Sequence, residues 1–423
     1  MLHRADRLAV TIGALELKNP IIAAAAEHMI EADGVRAALA AGAGAVVVKS
    51  TNESSAAKDQ LQRAEYLAID SGWNPVKWDA SAPPEVTLAT RSGLSPLGFA
   101  EWLDEVVHLD REARARSALL VPSLVLSQLE PALAMARQIE QAGLRVLEFN
   151  IGTPYGSQAA QQAVATELDP ARVGEIVRAM RETVSLPLWI KLTGQSERVP
   201  ALAEAAFDAG AQSVVMAGRL LGLIPDLDSM APLLGTSLGV GGYWNLPLTC
   251  QWLALTRQHL GVEAPLIGIN GVRDGRDAAR VMLAGASAVG MASSVMLRGP
   301  GCSRRRWSNS MPIWTRRGLP RATLSAAPPT DGAAFMRWNF APIIGRILLS
   351  AREALRILPP PHDQGVVAMV AHAPTPQTIP YAGTKALNQH FHSDRKTSRQ
   401  QAVLAESGRP SPSGRRERQN PRW

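Results

Sequence analysis

Cysteine is nearly absent from this chain: its 423 residues include only Cys250 and Cys302. Two thiols cannot build a disulfide scaffold, a four-cysteine zinc site or an iron–sulfur cluster. Such sparse usage suits a reducing, cytoplasmic setting, and no metal centre is expected. Long apolar runs are missing as well, since none reaches the roughly 20 residues that a membrane span requires. The opening MLHRADRLAV puts no apolar stretch behind its charges, which argues against a secretory leader. Acidic residues are scarce in one part only. Residues 300–423 hold six Asp and Glu against 19 Lys and Arg, whereas residues 1–299 hold 31 against 25. The net charge of +7 therefore belongs to the tail, and the part able to fold as an enzyme is mildly acidic.

What is present in residues 1–299 is a repeating unit. LAVTIGALELKNPI alternates around Gly13 as a small N-terminal hairpin would. Eight short apolar runs follow: Pro20–Ala26, Gly44–Ser50, Leu119–Leu126, Val146–Thr153, Leu186–Thr193, Ser213–Gly218, Leu266–Gly271 and Ala288–Ser293. Between them lie amphipathic patterns such as Glu130–Ala142, Ala171–Val184, Val199–Ala209, Leu248–Leu260 and Arg273–Ala284. Asp169-Pro170 supplies a cap and a first-turn proline to one of these helices. Near-continuous β-branched runs such as AVVVK and SVVMAG indicate strands buried on both faces, hence a parallel sheet under helices. Eight units predict a closed α/β barrel, a (β/α)8 TIM barrel over residues 1–299.

Two connections are long, Thr51–Leu94 after the second strand and Arg219–Asn245 after the sixth. Both leave the C-terminal ends of strands, where barrel enzymes place their sites, and are expected to cover a substrate. The pattern stops after Arg298-Gly299, before a recognisable eighth helix, as a shifted reading frame or a fusion would make it stop. Residues 300–423 carry 15 of the 30 prolines and read as a largely disordered tail, with one amphipathic stretch at Ala341–Leu358. A nucleic-acid role would rest on that basic tail. It has no interleaved aromatic positions and no recognisable binding module, so no nucleic-acid partner is expected.

Chemistry-bearing residues gather at strand ends. Lys49 closes AVVVKST and Lys191 closes LPLWIKLT. An ammonium at the mouth of a barrel is only partly hydrated and calls for an anionic or electron-rich ligand; the plain alternative is a lysine reaching solvent at the rim. Asn150 ends the fourth strand in VLEFNIGTPYGS, with Thr153 and Tyr155 just past it. Asn270-Gly271 and Ala292-Ser293 form small-residue turns after the last two strands, a usual phosphate position in barrels, and Gly241-Gly242 adds further backbone donors.

These segments are similar, in order and spacing, to class 1 dihydroorotate dehydrogenases and the related dihydropyrimidine dehydrogenase domains. The segments are LKNPIIAAAA, GAGAVVVKST, LEFNIGTPYG, LPLWIKLT, GVGGYWN, PLIGINGVRDGRDAARVMLAGASAV and MASS. The resemblance spans about residues 8–298. It implies FMN as cofactor, held by Ala24, Ala25, Lys49, Ser50, Asn150, Lys191, Gly241, Gly242, Asn270, Gly271, Ala292 and Ser293. It also implies catalytic roles for Asn150, Thr153 and Lys191, and a small-molecule substrate near Tyr155 and Arg219. A homodimer is compatible with it.

Three departures concern the substrate. Thr153 stands where the family has a Cys or Ser base, and Tyr155 replaces an Asn. Gly218-Arg219 replaces an Asn-Thr/Ser pair. The expected activity is hydride transfer between flavin and a small cyclic, pyrimidine-like molecule other than dihydroorotate. The alternative is a non-flavin barrel isomerase or lyase that holds a phosphorylated substrate and uses one lysine as a Schiff base.

Overall fold

The computed structural model describes residues 8–61, 65–77, 82–83, 85–91, 93–153, 166–216, 218, 220–235 and 237–298. The expected tail at 300–423, with its stretch Ala341–Leu358, lies outside them.

Each of the eight apolar runs contains a barrel strand. They are Ile21–Ala23, Ala45–Val47, Leu119–Val125, Leu147–Asn150, Leu188–Lys191, Ser213–Met216, Leu266–Ile269 and Ala288–Met291. Pro122 splits the third into Leu119–Val121 and Ser123–Val125. Its first half pairs with the second strand and its second half with the fourth, and this closes the ring. All barrel pairings are parallel, and a helix follows every strand. The eighth of these, Ser293–Arg298, corrects the sequence reading, which recognised no eighth helix before the pattern stops; it begins inside the last apolar run. No helix among the described residues is long and apolar enough to cross a membrane.

The period-two alternation of a strand assigns each side chain to one of two layers. Val46, Val48, Leu147, Phe149, Leu188 and Ile190 belong to the outer cluster, packed under helices. Ala45, Val47, Val146 and Trp189 belong to the inner one. The hairpin of Val10–Ile12 with Leu15–Leu17 turns at Gly13 (φ +59°) and sends Ile12 and Leu17 into that inner cluster, fully buried. The interior is therefore a packed apolar core at that level. Continuing the inward series along each strand brings the next residues to Lys49, Glu148, Asn150 and Lys191. Polar side chains thus begin where the apolar filling ends.

The helices carry the expected start signals. Asp169 caps Pro170–Thr183 by accepting from the Ala171 amide, with Pro170 in the first turn. Asp274 caps Gly275–Leu283 by accepting from the Arg276 and Asp277 amides at 2.9 and 3.2 Å.

The two long connections form one structure. Glu65–Ile69, Pro75–Val76 and Thr87–Arg91 from the first join Leu220–Gly222 and Leu238–Gly242 from the second in a five-stranded antiparallel sheet. Register partners Leu88 with Gly241 and Thr90 with Gly239 share one face. Ala89, Val240, Leu238, Ile69 and Leu233 form a small core on the other.

Candidate active site

One cavity lies at the C-terminal ends of the barrel strands, between the barrel mouth and the added sheet. It encloses about 1240 Å³ of unfilled space, open solvent at its mouth included. Its floor is polar. Lys49 from the second strand, Asn150 from the fourth and Lys191 from the fifth all line it. Asn150 and Lys191 are direct register partners across the strand pair. The Leu88/Thr90 and Gly239/Gly241 pairs supply the sheet side.

Both lysines are buried, and each meets a buried carboxylate that sequence reading did not single out. Lys49 Nζ lies 2.9 Å from Glu27 Oε1, with side-chain exposures of 7% and 8%. Lys191 Nζ lies 3.7 Å from Glu148 Oε1, with exposures of 11% and 3%. Glu148 also accepts a 2.9 Å hydrogen bond from Ser123 Oγ, which in turn is 2.8 Å from Ser50 Oγ. A buried chain thus runs from the second strand to the fifth. Glu148 had a signal in the sequence, since it precedes Asn150 by two residues on the inward face. Glu27, past the first strand in AAAAEHMI, had none.

The Lys49 backbone is fixed as well. Its amide donates to the Met29 carbonyl at 3.1 Å, and its carbonyl accepts from Trp102 Nε1 at 3.0 Å. Next to Glu27, the His28 ring has both nitrogens buried without a hydrogen-bond partner among the described residues. Burial pushes its pKa down to about 4; Glu27 opposes that shift and Lys49 adds to it.

Beyond the fourth strand, Asn150 Oδ1 accepts from the Gly152 amide at 3.1 Å and so shapes the turn. Thr153 lines the cavity. Its Oγ1 is buried without a hydrogen-bond partner among the described residues, and its carbonyl accepts from Thr166 Oγ1. Tyr155 and Arg219, the expected substrate contacts, lie outside the described residues.

Small residues make up much of the rest of the lining. Ala24, Ala25, Gly241, Asn270, Gly271, Ala292 and Ser293 all line the cavity, as the sequence predicts for a single site. Gly242 does not. It is the next residue on a strand, and its free side meets the Trp244 ring and the Val86 carbonyl instead. Asn270 and Gly271 both have left-handed backbones, φ +81° and +82°. A Cβ at Gly271 would lie 2.2 Å from the Leu246 amide nitrogen, so only glycine fits there. Asn tolerates the left-handed region, and Asn270 Nδ2 donates to the Gly218 carbonyl at 2.7 Å, tying the seventh strand end to the sixth. Among the described residues no cluster of His, Cys, Asp or Glu could hold a metal ion.

Comparison with known proteins agrees with this geometry. The family model described as dihydroorotate dehydrogenase matches residues 81–305. The catalytic subunit of the NAD(+)-type dihydroorotate dehydrogenase B of Methanosarcina acetivorans is 29% identical over 284 residues, covering 66% of this chain and 83% of that protein. The fumarate-type dihydroorotate dehydrogenase A of Limosilactobacillus reuteri is 25% identical over 290 residues, covering 68% and 87%. The crystal structure of the Eimeria tenella enzyme in complex with ferulenol superposes with a TM-score of 0.56 at 15% identity, covering 75% of this chain and 87% of that one. That last likeness is one of fold.

Proposed function

The chain belongs to the dihydroorotate dehydrogenase family, and on that premise we propose that it is an FMN-dependent oxidoreductase acting on a small cyclic, pyrimidine-like substrate other than dihydroorotate. The family's enzymes use FMN. The residues present fit that group. Buried ammonium groups and alanine and glycine backbone line a single cavity, and small residues there let a planar ring system approach closely. Beside the tight Asn270–Gly271 turn, a Cβ added at Gly241 would find its nearest neighbour only at 3.9 Å, which leaves room for a phosphate at the backbone.

In this reading Lys49, Ser50, Asn150 and Lys191 hold the isoalloxazine, with Ala24 and Ala25 on the first-strand loop. Gly241, the Asn270–Gly271 turn and Ala292–Ser293 receive the phosphate; Gly242 supports the strand from behind. When bound, FMN supplies the two-electron carrier that exchanges a hydride with substrate. Lys191 places positive charge where negative charge accumulates on reduction. Asn150 orients the substrate from the same strand end. Thr153 handles the proton that accompanies the hydride; its alcohol is a weak base, so it works through a relayed water.

The observation that carries the proposal is the convergence of Lys49, Asn150, Lys191, Asn270–Gly271 and Ala292–Ser293, from five strand ends, on one cavity. The non-flavin alternative needs a lysine free to react as an amine, whereas both cavity lysines are engaged by carboxylates. The purified protein is expected to be yellow, with an oxidised-flavin spectrum, and Lys191→Ala to hold FMN more weakly or to be reduced more slowly. Folded protein that takes up no FMN, but in which a sugar phosphate occupies the site, overturns the proposal in favour of the isomerase or lyase reading.

A further inference from the structure

We infer that the buried Glu27–Lys49 pair makes this site selective for an uncharged cyclic amide or imide and excludes substrates that carry a carboxylate. The inference deepens the flavin-enzyme reading and rests on it. Glu27 and Lys49 both line the cavity, 2.9 Å apart, with side chains less than a tenth exposed. Lys191, the second ammonium on the floor, faces Glu148. Each of these two cations is therefore matched to a carboxylate of the chain before any substrate enters.

A carboxylated ligand would lose its hydration without gaining a fresh counter-charge from either lysine. It would also bring its negative charge close to Glu27, and like charges in a partly dehydrated site repel strongly. A neutral ring with amide N–H groups faces neither penalty. Its N–H can donate to a Glu27 oxygen and its C=O can accept from the Lys49 ammonium, whose three N–H donors let it serve Glu27, flavin and substrate together. A fixed donor beside a fixed acceptor matches the alternating N–H and C=O edge of a cyclic imide. His28, behind this pair, is neutral near pH 7 and adds no cation.

Uracil and orotate differ by one carboxylate, which makes them suitable probes. Each is titrated into the flavin-loaded protein, with binding read from the perturbed flavin absorbance and by calorimetry. Uracil is expected to bind at least about tenfold more tightly than orotate. Tighter binding of orotate, or no saturable binding of uracil, overturns the inference. This arm needs no variant, so it stands even if a substitution at the buried pair prevents folding. Glu27→Gln keeps the shape and removes the negative charge. It is expected to raise orotate affinity at least about tenfold and to lower uracil affinity, because the charged acceptor of the uracil N–H is lost. A folded, FMN-loaded E27Q protein whose orotate affinity is unchanged overturns it as well. Protein that cannot be loaded with FMN at all removes the flavin reading itself, and with it this inference. A yellow protein that prefers orotate removes this inference alone.

Discussion

Glu148 Oε1 stands 3.7 Å from Lys191 Nζ, both side chains buried, on adjacent barrel strands. Each charge is tolerable there because of the other. Removing one member of such a pair leaves an uncompensated buried charge and costs about 3–5 kcal/mol, whereas replacing both by apolar groups of similar volume is often neutral. Glu148→Ala and Lys191→Ala are each expected to lower stability by that amount in urea unfolding. The double variant Glu148→Leu/Lys191→Met should recover most of the loss, while FMN retention falls. Additive losses in the double variant would mean that the two groups do not interact.

Gly271 gives a test of the turn it belongs to. Its φ of +82° already disfavours a side chain, and an added Cβ would sit 2.2 Å from the Leu246 amide nitrogen. Gly143 is the control: it has a similar φ of +79°, with nothing within 4 Å of the added atom. Gly143→Ala is expected to cost only left-handed strain, about 1–2 kcal/mol. Gly271→Ala must also displace the start of helix Leu246–Leu260. It is therefore expected to unfold at clearly lower denaturant and to bind FMN poorly. Equal losses at the two glycines would refute the steric argument.

Much of this architecture is legible in the sequence because its signals are local. The eight apolar runs each contain a strand, and the Asp169-Pro170 cap lies where it was read. The two lysines were legible because they end buried runs, and a charge in that setting has to be explained. The pairing of Thr87–Arg91 with Leu238–Gly242 was not legible. The Thr90 hydroxyl meets the Gly239 carbonyl from 149 residues away, and no local period encodes such a contact. For the same reason the long connections read only as covers and not as one sheet. Glu27 was invisible for a related reason: a carboxylate after an alanine run is usually solvated, and only the folded chain shows that it faces Lys49.

His28 makes stability sensitive to mild acid. Burial, first of all, lowers its folded-state pKa to about 4, whereas in the unfolded chain it titrates near the ordinary histidine value of about 6.5. Between those values the unfolded state binds the extra proton. Stability is therefore fully present above about pH 6.5 and is lost as pH falls toward 4, by about 3 kcal/mol in total. His28→Phe removes the titration without adding a charge. The wild type minus variant difference in unfolding free energy is expected to shrink steadily on acidification from pH 7 to 4. A pH-independent difference would show that the ring stays hydrated in the folded protein.

Thr153 separates chemistry from cofactor binding. Thr153 lines the cavity, and its hydroxyl is buried with no hydrogen-bond partner among the described residues, while its carbonyl accepts from Thr166 Oγ1. Replacing the side chain therefore breaks no internal hydrogen bond of that hydroxyl. Thr153→Ala is expected to fold normally and to hold FMN as the wild type does, but to reduce the flavin with substrate about 10²-fold more slowly, the usual worth of a positioned proton-transfer group. Thr153→Ser keeps the hydroxyl and is expected to stay within about an order of magnitude of the wild type. Stopped-flow reduction of the flavin as a function of pH reads this directly. If Thr153→Ala is reduced at the wild-type rate across the pH range, the proton leaves by another group, and the assignment of Thr153 fails.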